Sequence, residues 1–161
     1  MLDTGDAAPD FTVPLANGDV ETFTLSERLD DAPIVLAFFP AAFTNTCTTE
    51  MCTFRDRLAN FENVGATVYG VSVDLPYTLN EFRRQNDLTF GLLSDERRDL
   101  IDAYGVASSF QPGDIRVARR AVFVVDGDGT VTYRWEAENP KQEPDYDAVR
   151  EVAAETSGAG A

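Results

Sequence analysis

The chain has 161 residues, 43% of them hydrophobic, which suffices for one globular domain with a continuous core. Its 28 acidic residues face 13 basic ones, a formal net charge of -15, and Lys141 is the single lysine among the basic residues. A field of that sign repels phosphate backbones and anionic lipids, which argues against nucleic-acid and membrane-surface partners, and no apolar run approaches the roughly 20 residues of a bilayer span.

The chain opens on Met1 to Asp10 without a basic region or an apolar signal core, so a soluble protein with a cytoplasmic location is expected. Phe11 to Val13 and Val20 to Phe23 flank Asn17-Gly18, a dipeptide that tolerates the positive φ of a tight turn, and read as a β-hairpin. Ile34 to Phe39 is apolar without alternation, as a central strand buried on both faces would be, and Pro40 ends it. From about Asn45 to Phe61, Met51, Phe54, Leu58 and Phe61 recur at three- and four-residue steps, which predicts an amphipathic helix. Thr67 to Val73 reads as a strand and Leu79 to Gln85 as a helix, so strand and helix alternate, a pattern that implies parallel strands with helical crossovers.

Phe90 to Leu93 fits a short strand or an extended loop, and Glu96 to Tyr104 a helix. Ala121 to Val125 and Val131 to Trp135 form a second hairpin across Asp126-Gly127-Asp128-Gly129, which lacks the downstream glutamate of a calcium loop. A last helix is expected over Tyr146 to Ala154. The elements make an α/β fold, a mixed central β-sheet flanked by helices with an N-terminal β-hairpin, as a single domain over 1–154 with a flexible tail at 155–161.

Two cysteines and no histidine narrow the chemistry. Zinc sites of the finger or hydrolase type lack their ligands, and histidine acid/base catalysis and the Ser-His-Asp triad are excluded; no metal or organic cofactor is expected. A cytosolic thiol pair is more often reactive than structural. Cys47 lies where a buried strand gives way to the first turn of a helix, where unpaired N–H groups and the helix dipole favour an anion, here the thiolate. Thr44 can offer a hydroxyl to the sulfur or to a bound peroxide oxygen, and Pro40 can shape the pocket floor and shield the thiolate.

Pro40, Thr44 and Cys47 form a Pro-x-x-x-Thr-x-x-Cys motif that resembles the active-site signature of peroxiredoxins, thiol peroxidases of thioredoxin-like fold. Ala8-Pro9-Asp10-Phe11, Leu93-Ser94-Asp95 and the Arg-x-x-Phe of Arg120 to Phe123 follow in the order that family shows, so that the resemblance covers roughly residues 5 to 136. It implies Cys47 as the peroxidatic cysteine and Arg120 as the arginine aimed at the thiolate and the peroxide. Arg119 is the neighbouring rival; strand neighbours face opposite sides, so only one of the two can reach the site. Glu50 either orients that arginine or is an ordinary partner of the helix dipole.

Two branches of the family compete. The run Cys47 to Asp56 is similar to the bacterioferritin-comigratory, or Q-type, peroxiredoxins, which imply Cys52 as resolving cysteine. Phe39 to Thr44 resembles the alkyl hydroperoxide reductase E-like branch, usually one-cysteine enzymes, and the Thr-Pro-Gly-Cys common in the Q type is here Thr44-Asn45-Thr46-Cys47. The implied function is reduction of hydrogen peroxide and organic hydroperoxides through a Cys47 sulfenic acid, resolved by Cys52 as an intramolecular disulfide. Recycling falls to a thioredoxin-like or low-molecular-weight thiol reductant. Residues five apart on a regular helix have Cα atoms roughly 8–9 Å apart, beyond the ~7 Å reach of a disulfide, so the helix start must unwind. Alternatively Cys52 is a buried hydrophobe and an external thiol resolves Cys47. The same fold also suits a redox-sensing or binding module without turnover, and monomer and homodimer both remain open. The acidity is expected to reflect adaptation to concentrated salt, where screening removes self-repulsion, rather than an ordinary acidic cytosolic protein.

Overall fold

The computed structural model describes residues 2–110 and 113–157. Seven strands form the main sheet: β1 (Thr12–Ala16), β2 (Val20–Thr24), β3 (Ile34–Phe38), β4 (Thr67–Ser72), β5 (Leu92–Ser94), β8 (Ala121–Val125) and β9 (Val131–Glu136), in the order β2-β1-β5-β4-β3-β8-β9. The helices are α1 (Asn45–Asn63), α2 (Pro76–Gln85), α3 (Asp99–Ala103) and α4 (Tyr146–Ser157). β3, β4 and β5 are parallel, joined by crossovers through α1 and α2, while β1 and β8 flank them antiparallel.

β3 is buried along its whole length, and its residues part by alternation into two cores. Val35, Ala37 and Phe39 pack with Met51, Phe54, Phe61, Leu79, Phe82 and Val149 on the face that carries α1, α2 and α4. Ile34, Leu36 and Phe38 pack with Leu100, Ile101, Tyr104 and Phe123 on the α3 face. The two-period of β8 matches, Val122 and Val124 on the first face and Phe123 and Val125 on the second. Helix α1 sits close to the sheet because β4 offers Gly70 there: a Cβ at that position would lie 2.9 Å from the Met51 sulfur and 2.6 Å from Leu92 Cδ2.

Both expected hairpins form. Gly18 has φ +106, and its N–H donates to Asn80 Oδ1 at 2.9 Å, which ties the first turn to α2. In the second, Asp126 Oδ1 accepts the N–H groups of Asp128 and Thr130, each at 2.9 Å, so this carboxylate closes the turn.

Several boundaries differ from expectation. α2 starts at Pro76, three residues before Leu79, because proline suits the first helical position. α3 starts at Asp99 instead of Glu96: Arg98 is left-handed at φ 65, and the Asp95 carboxylate accepts the N–H groups of Leu100 and Ile101 at 3.0 and 2.8 Å, which sets the helix start. Of the two readings of Phe90 to Leu93, the short strand forms, as β5, shifted to Leu92–Ser94. α4 continues to Ser157, so residues 155–157 of the expected tail are helical, and its remainder lies outside the described residues. A second, two-stranded sheet of β6 (Ala107–Phe110) and β7 (Ile115–Ala118) was not anticipated; both strands are short, and Ser109, Ile115 and Arg116 are exposed, so they carry little hydrophobic signal.

Candidate active site

The site gathers at the carboxyl ends of the parallel strands. Beyond β3, buried Pro40 leads into the loop that ends in α1. Two devices hold this loop. Asp74, just beyond β4, accepts the Ala42 N–H at 2.8 Å and the Ser72 hydroxyl at 2.7 Å through the same oxygen, and the Ser94 hydroxyl donates to the Asp74 carbonyl at 2.6 Å. Phe43, at φ 66, is an aromatic residue in the left-handed region, its ring set edge-on to Phe82 with centroids 5.3 Å apart.

Thr44 stands at the N-cap of α1. Its hydroxyl donates to the Ala41 carbonyl at 2.7 Å, and its own carbonyl accepts the first intrahelical bond, from the Thr48 N–H at 2.9 Å. The amides of Asn45, Thr46 and Cys47 therefore precede the helical ladder. Contrary to the expectation of a hydroxyl offered to the sulfur, no hydrogen bond joins Thr44 and Cys47 among the described residues; the loop turns Thr44 onto its own backbone.

Cys47 is 1% exposed and meets the Arg120 guanidinium, whose Nη2 lies 3.4 Å from the sulfur. Arg120 is itself buried and donates Nη1 to Glu50 Oε1 at 2.7 Å and Nη2 to the Pro140 carbonyl at 2.9 Å. Glu50 is fully buried, and its second oxygen has no protein partner among the described residues. Burial pushes the Glu50 carboxyl up to about 7, against the opposite pull of Arg120. Burial pulls the Arg120 guanidinium down, but Glu50 and Cys47 more than offset it and hold it raised.

Of the two readings of Glu50, the geometry is that of the arginine partner: it lies past the first turn of α1 and faces the core. Arg120 shares the parity of Val122 and Val124 and so points to the α1 face, while exposed Arg119 reaches Glu136 at 3.4 Å. Pro40 does not line the thiol cavity; it lines a second cavity of about 190 Å³ that shares Arg120 and Pro140 with it, together with Ala118 and Ala137. The thiol cavity itself, of about 150 Å³, is lined by Thr44, Asn45, Thr46, Cys47, Arg120, Pro140 and Lys141.

Cys52 is half-buried and free, on the same unbroken helix as Cys47, with its sulfur 3.7 Å from Asn86 Oδ1. Asn86 is held in turn, its carbonyl accepting Arg55 Nη1 at 2.6 Å. Sequence reasoning missed Asp74, Asn86, Pro140 and Lys141. An acid just past a parallel strand was a usable signal for Asp74, whereas nothing local marks the other three.

Comparison with known proteins agrees with this geometry. The AhpC/TSA family model matches residues 4–134. A putative peroxiredoxin of Mycobacterium tuberculosis H37Rv is 40% identical over 132 residues, 81% of this chain and 82% of its own. Peroxiredoxin Bcp of Escherichia coli K12 is 31% identical over 134 residues, 82% of this chain and 84% of its own. The crystal structure of peroxidoxin BcpB from Mycobacterium tuberculosis superposes with a TM-score of 0.80 at 33% identity, covering 99% of this chain and 98% of that one. A thioredoxin-like sheet with a buried cysteine at the head of a helix is the architecture of a thiol-dependent peroxidase. This chain belongs to the AhpC/TSA family, the peroxiredoxins.

Proposed function

We propose that Cys47 is the peroxidatic cysteine and that Cys52 resolves it. In the first step the Cys47 thiolate attacks the terminal oxygen of a hydroperoxide. A sulfur–oxygen bond forms, the O–O bond breaks, and the departing oxygen takes a proton and leaves as water or an alcohol, with Cys47 as the sulfenic acid. Arg120 and the free amides at the head of α1 stabilise the charge that moves along the O–O bond, which is electrostatic preorganisation and requires no histidine. The Thr44 proton is committed to Ala41, so its oxygen serves as an acceptor for the peroxide O–H.

In the second step the Cys52 thiol condenses with the sulfenic acid, a disulfide forms, and the hydroxyl leaves with the thiol proton as water. A thioredoxin-like dithiol or a low-molecular-weight thiol then supplies two electrons to reduce the disulfide. The observation that carries the assignment is the Arg120 guanidinium shared between the Cys47 sulfur at 3.4 Å and the buried Glu50 carboxylate at 2.7 Å. Residence in a concentrated-salt cytoplasm fits the charge of -15 and belongs to the same reading; among the described residues, no helix is long and apolar enough to cross a membrane.

The test is peroxide consumption under reductant for the wild type, Cys47→Ser and Cys52→Ser. Loss in both variants is the expected result. Loss in Cys47→Ser alone would replace internal resolution by an external thiol, and a wild type without turnover would leave a redox-sensing module.

A further inference from the structure

Two cations line the thiol cavity, Arg120 and Lys141. The charge of Arg120 is already matched by Glu50 and faces Cys47. Lys141 is different: it is the only lysine of the chain, it is exposed, and among the described residues no carboxylate forms an ion pair with its ammonium. Its backbone is well held. The Lys141 N–H donates to Asn139 Oδ1 at 3.0 Å, the Gln142 N–H donates to the Asn139 carbonyl at 3.2 Å, and the preceding Pro140 carbonyl accepts Arg120 Nη2 at 2.9 Å. The turn bearing the ammonium is thus anchored to the arginine that meets the sulfur, while the side chain itself is a compact charge on a flexible stem.

We propose that Lys141 is a specificity-determining residue that admits small hydroperoxides carrying a carboxylate within a few bonds of the O–O group. The inference rests on the peroxidase chemistry assigned above to Cys47. An anionic substrate meets a protein of charge -15, with Glu138 and Glu143 flanking the turn in sequence. Glu50 already pairs with Arg120, and Arg120 also faces the sulfur, so Lys141 is the cation of the cavity lining left to meet a second anion. A cavity of about 150 Å³ favours small molecules, and Lys141 lines the same cavity as Cys47, so a carboxylate a few bonds from the O–O group is within its reach. The electron balance is that of any hydroperoxide: the sulfur–oxygen bond forms, the O–O bond breaks, and the hydroxy acid leaves after taking a proton. Lys141 contributes charge only.

The test uses 3-hydroperoxy-3-methylbutanoate and its methyl ester, alike around the O–O bond and differing by one charge, with hydrogen peroxide as a third substrate. Second-order rate constants are measured on the full chain for the wild type, Lys141→Met, Lys141→Glu and Lys141→Arg, with circular dichroism confirming the fold of each. The carboxylate-to-ester ratio is expected to fall about three- to tenfold in Lys141→Met, further in Lys141→Glu, and to be retained in Lys141→Arg. The gap between the wild-type and Lys141→Met ratios narrows between about 0.1 M and about 1 M salt as screening sets in. Equal ratios across the four proteins, with hydrogen peroxide still consumed, overturn the role of Lys141 and leave the peroxidase reading standing. A wild type that consumes none of the three overturns that reading and this one together.

Discussion

Arg120 links the thiol to a buried acid, and the consequences of removing it differ for activity and for stability. Arg120→Met takes away the guanidinium that meets the sulfur at 3.4 Å and leaves the Glu50 carboxylate without its partner in the core. The second-order rate with peroxide should fall about 100-fold, as when one preorganised donor is lost, and stability by about 3–5 kcal/mol unless Glu50 takes up a proton. Stopped-flow peroxide consumption and urea denaturation check the two parts separately. Glu50 carries its own pH signature. Its folded value of about 7 lies above the ordinary 4.5, so its contribution to stability is fully present below about pH 4.5 and is lost as pH rises through about 7. Relative to Glu50→Gln, the wild type should lose up to about 3 kcal/mol between pH 5 and 8. A stability difference that stays flat over this range in parallel denaturation curves would count against a buried, titrating Glu50.

Helix α1 holds both cysteines, and its regularity is what keeps them apart. Cys47 and Cys52 lie in one continuous helix over Asn45–Asn63, so an internal disulfide requires its first turns to open. Cys52 must also leave Asn86. Amide exchange should therefore be faster over residues 47 to 55 in the oxidised protein than in the reduced one, and equal protection in both states would sink the internal disulfide. The seating of α1 depends on β4: Gly70→Ala places a methyl against Met51 and Leu92, and should cost about 1–3 kcal/mol by overpacking, read as a lowered unfolding midpoint. The helix and the central strands were legible because period 3.6 and continuous apolar runs are local patterns. The start of α3 was not, because Asp95 caps it from outside the helical run, through the amides of Leu100 and Ile101.

At the scale of the whole molecule the dominant quantity is the charge of -15. Several of the ion pairs are exposed, such as Arg57 with Asp147 and Arg84 with Glu81, and pairs of this kind contribute little against repulsion spread over the surface. Raising salt from about 0.1 M to about 1 M shortens the screening length from about 10 Å to about 3 Å, so the unfolding midpoint should rise with salt if the acidity is an adaptation to it. Circular dichroism through a salt series measures this, and a midpoint unchanged in dilute buffer returns the protein to the ordinary acidic class.

The sequence alone determined the two hairpins, the central strands β3 and β4, the place of Cys47 at a strand-to-helix junction and the motif Pro40, Thr44, Cys47, because each depends on residues near one another in the chain, while Arg120 was legible only through the family resemblance. Only the tertiary structure decided which groups surround the sulfur. Arg120 lies 73 residues from Cys47, and Asp74 reaches Ala42 over 32 residues. Pro140 and Lys141 come from a loop beyond β9 with no pattern of its own. It also decided the partner of the Thr44 hydroxyl, since a hydroxyl in a loop bonds whichever acceptor the fold brings nearest, and here that acceptor is the Ala41 carbonyl.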